Sequence, residues 1–161
     1  MKTLIVYRSY YGNTKSVAEA MANEIKVMGH EVVLQDLRRR LPELSEFSCA
    51  LVGAPTRIAR VTRRALGVLK NLAKRGFANK PVAIFDVYGP VPPTPEEQEK
   101  GKKWTTPGAA GIMEKAAKDQ GLNVYEKTLR CEIVGMKGPL REHELEKAAR
   151  FAHQFVEESL R

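Results

Sequence analysis

A short segment near the amino terminus combines hydroxyl side chains, a glycine and the start of a helical pattern. It reads Arg8-Ser9-Tyr10-Tyr11-Gly12-Asn13-Thr14-Lys15 and follows an apolar run. Ser9 and Thr14 offer hydroxyl groups, and Gly12 permits a tight turn with close approach of a ligand to the backbone. The first amides of a helix lack acceptors within it and lie at the positive end of its dipole. The segment therefore predicts a cradle for a terminal phosphate; the alternative is that both hydroxyls only cap the helix.

Motifs for several other chemistries are missing. The sequence has no GxxxxGK[ST] and no GxGxxG after the first strand, which disfavours a P-loop NTPase and a dinucleotide site. Cys49 and Cys131 form no CxxC pair, and neither is followed by arginine six positions later. Zinc, iron–sulfur, dithiol and small tyrosine phosphatase sites therefore lack their residues. We expect any chemistry to belong to a bound cofactor.

Apolar periodicity alternates between strand and helix patterns along the whole chain. Such alternation predicts a three-layer, doubly wound α/β fold with a five-stranded parallel sheet in the order 2-1-3-4-5, and residues 1–161 are expected to form a single domain. Strands are predicted at residues 2–8, Glu31–Gln35, Ser48–Gly53 and Pro81–Asp86 and within Leu122–Val134, and helices at residues 14–28, 61–75 and 108–120 and from about Arg141 to Leu160.

The predicted strand order places the binding site. Ligands of doubly wound sheets bind beyond the carboxyl ends of the strands where the order reverses, which here means the loops after the first and third strands. The segment Tyr88–Pro107 contains five of the nine prolines and is predicted to be a long loop. Loops of this length in a compact domain are usually lids, binding loops or disordered segments.

The amino-terminal segment carries a family resemblance. Ile5-Val6-Tyr7-Arg8-Ser9-Tyr10-Tyr11-Gly12-Asn13-Thr14 resembles the flavodoxin signature, in which a strand leads into [ST]-x-[ST]-G-x-T and holds the phosphate of FMN. The match covers Ser9, Gly12 and Thr14, and Tyr11 replaces the middle hydroxyl residue, as in related quinone reductases. The resemblance implies an FMN cofactor whose phosphate lies against residues 9–14.

Two further loops extend the resemblance to the flavin ring. Gly53-Ala54-Pro55-Thr56-Arg57 is similar to a loop that wraps the isoalloxazine in those reductases, which implies ring contacts from Pro55, Thr56 and Arg57. Asp86-Val87-Tyr88-Gly89 occupies the third flavin loop, where Tyr88 is the first candidate for a stacking aromatic and Trp104 the second. The alternatives are a solvent-facing Arg57 and a Trp104 that anchors a lid at the surface.

The net charge of +8 is concentrated in one stretch. Residues Leu37–Lys80 carry eleven positive charges against Glu43 and Glu46. A local basic surface attracts anionic partners, so we expect a redox partner protein with an acidic docking surface. Nucleic acid is a less expected partner. The alternative is that the basic stretch is a solvated face that binds no partner. The apolar runs are too short for a membrane span or a signal peptide, so no membrane partner and a cytoplasmic location are expected.

Three functions are compatible with these residues. The first is an FMN-binding, flavodoxin-like electron carrier between redox partners. The second is an enzyme, either an NAD(P)H-dependent quinone or flavin reductase or another flavodoxin-like FMN oxidoreductase; the lack of a second nucleotide motif disfavours it. The third is an interaction module that retains the fold without the flavin. Whether the chain is an enzyme stays open at this level.

Overall fold

The computed structural model describes residues 1–161, and strands and helices alternate along most of the chain. The strands are β1 (Lys2–Tyr7), β2 (Glu31–Asp36), β3 (Cys49–Pro55), β4 (Pro81–Tyr88) and β5 (Asn123–Glu132). The helices are α1 (Asn13–Val27), α2 (Arg63–Lys74), α3 (Pro95–Thr105), α4 (Gly108–Asp119) and α5 (Glu144–Ser159).

The five strands form one parallel sheet in the order β2-β1-β3-β4-β5, which confirms the predicted fold. Leu34, Ile5, Leu51 and Ala83 lie side by side across four of the strands. β3 is buried except at its last residue, because helices cover both faces of a parallel sheet. This arrangement brings the carboxyl ends of all five strands to one edge.

Two hydrophobic clusters hold the layers together. Leu69 of α2 and Met113 of α4 pack on one face of the sheet. Met21 of α1 and Phe155 of α5 pack on the other face. None of the helices combines the length and the hydrophobicity that crossing a membrane requires.

The segment Tyr88–Pro107 is not one long loop, contrary to the sequence prediction. It contains α3, whose first turn is capped by Thr94 Oγ1, an acceptor for the Glu97 N–H at 3.2 Å. Pro95 occupies the first turn, as a fixed φ and a missing N–H favour. No residue of α3 is buried, so this helix lacks the apolar stripe by which the other helices were predicted.

Two strands also run further than predicted. β3 ends at Pro55 rather than Gly53, and β4 ends at Tyr88 rather than Asp86. Each extension is two residues long. The first part of each predicted flavin loop, up to Pro55 and up to Tyr88, therefore belongs to the sheet. The ladder pairs Ala54 with Asp86 and thereby fixes the relative height of the two loops.

Candidate functional site

A cavity of about 810 Å³ opens at the carboxyl edge of the sheet. Its volume lies within the range of about 300–1,000 Å³ usual for small-molecule sites. Gly12 and Asp86 are predicted site residues that do not line it. The predicted site residues that do line it are Ser9, Tyr10, Tyr11, Asn13, Thr14, Pro55, Thr56, Arg57, Tyr88, Gly89 and Trp104.

The segment between β1 and α1 forms a tight turn around Gly12. Gly12 is the N-cap of α1 and has φ 93°, a left-handed conformation that strains any residue with a Cβ. No side chain caps the helix. Instead, Ser9 Oγ accepts a hydrogen bond from the Gly12 N–H at 3.0 Å and closes the turn. The helix-capping alternative for Ser9 and Thr14 therefore does not describe this loop.

The turn leaves hydrogen-bond donors at the mouth of α1. The first backbone hydrogen bond of the helix runs from the Ser16 N–H to the Gly12 oxygen. Thr14 is 2% exposed, lines the cavity, and its hydroxyl makes no hydrogen bond within the chain. The amides of this turn that have no acceptor within the chain are those of Ser9, Tyr10, Tyr11, Asn13, Thr14 and Lys15. This donor set at a positive helix end fits a phosphate group.

The loop after β3 is a two-residue hairpin. Arg57 and Arg60 exchange backbone hydrogen bonds of 3.0 and 2.9 Å, and Ile58 and Ala59 between them have φ values of 51° and 59°. A left-handed β-branched residue is strained, and such strain concentrates at functional sites. The hairpin directs the guanidinium of Arg57 onto the ring of Tyr10.

The ring of Tyr10 has two guanidinium groups close to it. Arg57 Cζ lies 4.2 Å from the ring centroid and Arg8 Cζ lies 4.1 Å from it. Arg8 is itself held by a 2.7 Å hydrogen bond from Nη1 to the Ser9 oxygen. Cation–π contacts of this kind fix side-chain positions. Arg57 is exposed and also lines the cavity, so its contact with a flavin ring stays a prediction.

Asp86 lies beneath the cavity as the centre of a hydrogen-bond network. Its side chain is fully buried and accepts from the Thr56 hydroxyl at 2.7 Å and from the Ala110 N–H at 3.1 Å. The Thr56 hydroxyl in turn accepts from the Ala109 N–H at 2.8 Å. A buried carboxylate needs such partners, because desolvation otherwise costs several kcal/mol. Asp86 thus joins the loop after β3 to the start of α4.

Arg130 supplies the charge that balances Asp86. It was not among the predicted site residues. Its Nε and Nη2 donate to the two carboxylate oxygens of Asp86, each at 2.9 Å. Its guanidinium also lies over the ring of Tyr88, with Cζ 4.1 Å from the centroid. The available signal was an arginine at the carboxyl end of a strand that neighbours β4. The predicted strand order gives that neighbour relation, but the register that pairs Arg130 with Asp86 comes only from the structure.

Helix α3 and the loop after β5 complete the cavity. Gln98, Gly101, Lys102 and Trp104 line it from α3. The Ala59 N–H donates to the Trp104 oxygen at 2.7 Å, which ties α3 to the loop after β3. The Trp104 side chain lines the cavity and is 52% exposed at its rim.

The loop after β5 reaches back to the phosphate segment. Ile133, Met136 and Lys137 line the cavity from this loop. Asn13 Nδ2 donates to the Lys137 oxygen at 3.1 Å. A Cβ added at Gly138 would lie within 3 Å of the Asn13 side chain, so the contact requires glycine there. Sequence analysis did not include this loop, although its glycines mark a turn beside the sheet edge.

The charged groups that line the cavity are all cations, namely Arg57, Lys102, Arg130 and Lys137. Asp86 balances Arg130 and Glu99 pairs with Lys102, so Arg57 and Lys137 are the unpaired cations that favour an anionic ligand. Neither cysteine lines the cavity. Burial raises the pKa of the Cys49 thiol to about 11 and that of Cys131 to about 12, so both thiols are protonated at neutral pH.

The chain matches known proteins at the level of family and fold. The family model described as a flavodoxin domain matches residues 4–159. A flavodoxin from the domain Archaea has a TM-score of 0.79 and 23% identity, with 100% of both chains covered. Flavodoxin 2 from Bacillus cereus has a TM-score of 0.74 and 26% identity, over 98% of this chain and 99% of that chain.

The fold also occurs within larger proteins. The rubredoxin oxygen:oxidoreductase of Desulfovibrio gigas has a TM-score of 0.73 and 17% identity, and the likeness covers 98% of this chain but 36% of that chain. No curated protein sequence matches the chain.

Proposed function

The chain belongs to the flavodoxin domain family, and from this premise we propose that it binds FMN in the cavity and carries electrons between redox proteins. In this proposal, residues 1–161 act together as one functional domain. The observation that carries it is the turn between β1 and α1, where free amides and the buried Thr14 hydroxyl face the cavity. When bound, FMN would supply the one- or two-electron chemistry for which no protein group is needed.

The chain's own residues would hold the phosphate and orient the ring. Charge-assisted hydrogen bonds from backbone amides and Thr14 suit a phosphate dianion. The aromatic and apolar lining suits a planar ring, with Tyr88 as the candidate stacking residue. The Arg57 guanidinium would stabilise negative charge on the pyrimidine side of that ring, since the Thr56 and Arg57 amides already donate to Val87 and Arg60.

A titration comparing FMN with riboflavin tests this assignment. FMN should bind at least about tenfold more tightly, because a phosphate adds charge-assisted hydrogen bonds worth about 1.5–3 kcal/mol. Fluorescence quenching of the flavin measures both affinities. Equal affinities would remove the phosphate role of residues 9–14, and the absence of binding would favour an interaction module without flavin.

The rim of the cavity supports docking of an acidic partner protein. Ile58, Trp104 and Met136 are large apolar residues with 69%, 52% and 79% exposure, and all three line the cavity. Arg57 and Lys137 also line the cavity and adjoin Ile58 and Met136 in the chain. An apolar centre with a charged rim is the usual anatomy of a protein interface. The partner that complements this rim carries acidic residues.

One observation favours the second candidate, an NAD(P)H-dependent quinone or flavin reductase. Helix α3 adds Gln98, Lys102 and Trp104 to the cavity wall and gives it the extent of a small-molecule substrate site. Steady NAD(P)H:quinone turnover by the FMN-loaded protein would support this activity. Reduction only through an added partner protein would support the carrier.

A further inference from the structure

Arg130 joins its own strand to three other structural elements. It lies on β5 and donates through Nε and Nη2 to Asp86 on β4. Nη2 also donates to the backbone oxygen of Thr105, the last residue of α3, at 2.9 Å. Its guanidinium lies over the ring of Tyr88 at the end of β4. Gly108 lies so close to Nη2 that a Cβ there would clash with it, and Gly108 is the first residue of α4.

These contacts restrict the guanidinium to one orientation. Two donors to one carboxylate fix both the plane and the direction of an arginine, which a lysine ammonium cannot reproduce. Asp86 is fully buried and is itself held by Thr56 and Ala110, so the acceptor does not move. Tyr88 therefore has a rigid positive plane against one face, 4.1 Å from its ring centre. A ligand in the cavity can meet only the other face or the edge of the ring.

We propose that Arg130, clamped by Asp86, is a positioning residue for the flavin that acts through Tyr88. The inference rests on the proposed function, because it concerns the orientation of bound FMN. Arg130 fixes the angle of the tyrosine ring and withdraws electron density from it, so that the ring presents a defined stacking surface to the cavity. The contact to Thr105 links the same ring to the end of α3 and thus to the wall above the cavity.

Substitution of Arg130 by lysine tests the role, since Arg130→Lys keeps the charge and loses the plane. FMN affinity should fall by about tenfold, because binding must then immobilise a Tyr88 ring that the clamp otherwise holds in place beforehand. The residual fluorescence of bound flavin should rise, because a loosely held tyrosine quenches it less. Arg141→Lys is the matched control: Arg141 pairs with Glu132, is exposed and does not line the cavity. This control should leave both readouts unchanged.

A double-mutant cycle with Tyr88→Leu separates positioning from a direct contact. If Arg130 acts through the ring, Arg130→Lys should change FMN affinity less than about twofold once Tyr88 is leucine. Equal losses of affinity in both backgrounds would show that Arg130 contacts the flavin itself, and would overturn the proposal. Tighter FMN binding by Arg130→Lys would overturn it too, because Arg130 would then occupy the face that the flavin needs.

A second variant guards against failure to fold. Asp86→Asn combined with Arg130→Met removes both charges and leaves neither one buried alone. It should fold and lose FMN affinity to the same extent as Arg130→Lys; wild-type affinity and fluorescence in this variant would overturn the proposal. Failure of the proposed function is a separate outcome, since it would appear as an absence of FMN binding by the wild-type chain.

Discussion

The cavity has two walls that are built in different ways. The local wall consists of residues 9–14 and 57–60, and its turns are closed by hydrogen bonds that span three or four residues. The assembled wall consists of Tyr88, Arg130, α3 and residues 133–137, and it depends on contacts such as Arg130 to Asp86, 44 positions apart in sequence. Local turns can be predicted from residue types, whereas the contacts of an assembled wall can be identified only from the folded sheet.

The difference in construction implies a difference in what mutations do. In the local wall the backbone supplies most donors, so side-chain substitutions should alter ligand binding more than folding. In the assembled wall the side chains join four elements, so substitutions should alter folding and binding together. The predictions below test this distinction, beginning with the largest expected effect.

Breaking the assembled wall should cost the most stability. Arg130→Met leaves the buried carboxylate of Asp86 without its counter-charge, and loss of one partner of a buried pair costs about 3–5 kcal/mol in the free energy of unfolding. Chemical denaturation of the flavin-free protein measures this loss. Adding Asp86→Asn to Arg130→Met should recover most of it. A loss below about 1 kcal/mol for Arg130→Met would show that water replaces the arginine and that the assembled wall is not rigid.

Substitutions in the local wall should weaken FMN binding and leave the free energy of unfolding nearly unchanged. Ser9→Ala with Thr14→Ala should weaken FMN binding by about 1–3 kcal/mol, because one hydroxyl faces the cavity and the other closes the turn that aims the amides. Riboflavin affinity should change little, since it has no phosphate. The free energy of unfolding of the flavin-free protein should fall by less than about 1 kcal/mol. Parallel losses for FMN and riboflavin would place the phosphate elsewhere.

The two walls also show how far sequence alone reaches. The strand order and the cradle at Ser9, Gly12 and Thr14 follow from periodicity and from residue types that turns require. Arg130 could not be found in this way. The predicted order places the fifth strand beside the fourth, but the bounds of the fifth strand were not predicted, so the register that sets Arg130 opposite Asp86 was unknown. Helix α3 was predicted as a loop because it buries no residue, although Thr94-Pro95 is a good helix start. Asp86 was predicted as a ring contact, but tertiary contacts place it beneath the cavity.

The aromatic residues of the assembled wall offer a finer comparison within it. Tyr88 is held by Arg130, whereas Trp104 is 52% exposed and has only Lys103 over its ring, at 5.0 Å. Tyr88→Ala should therefore weaken FMN binding by about 1 kcal/mol and shift the flavin midpoint potential, since a fixed ring stacks better than a mobile one. Trp104→Ala should have the smaller effect on both quantities. A larger effect of Trp104→Ala would make α3 the stacking wall.

The smallest effect concerns the charges outside the two walls. Of the eleven cations in Leu37–Lys80, Arg38 alone forms an ion pair, with Asp36. On α3 at the other rim, Lys100 and Lys102 pair with Glu96 and Glu99. The rim beside the local wall therefore presents free positive charge to a partner. On the assembled wall α3 is largely neutralised, and Lys137 is the unpaired cation of the loop after β5.

The rate of association with an acidic partner should depend on salt concentration through the unpaired cations of the basic stretch. Changing Arg60, Arg63 and Arg64 to glutamine should flatten the fall in association rate between low and physiological salt, where the Debye length shrinks to about 8 Å. FMN affinity should stay nearly unchanged, since these three residues do not line the cavity. The control changes Lys115, Lys118 and Lys127, which all pair with carboxylates and do not line the cavity, to glutamine and removes the same charge. Stopped-flow traces at several ionic strengths measure both variants. Because rim charges steer encounter when they face the partner, equal flattening by both triple variants would mean that net charge, and not the basic rim, sets the rate.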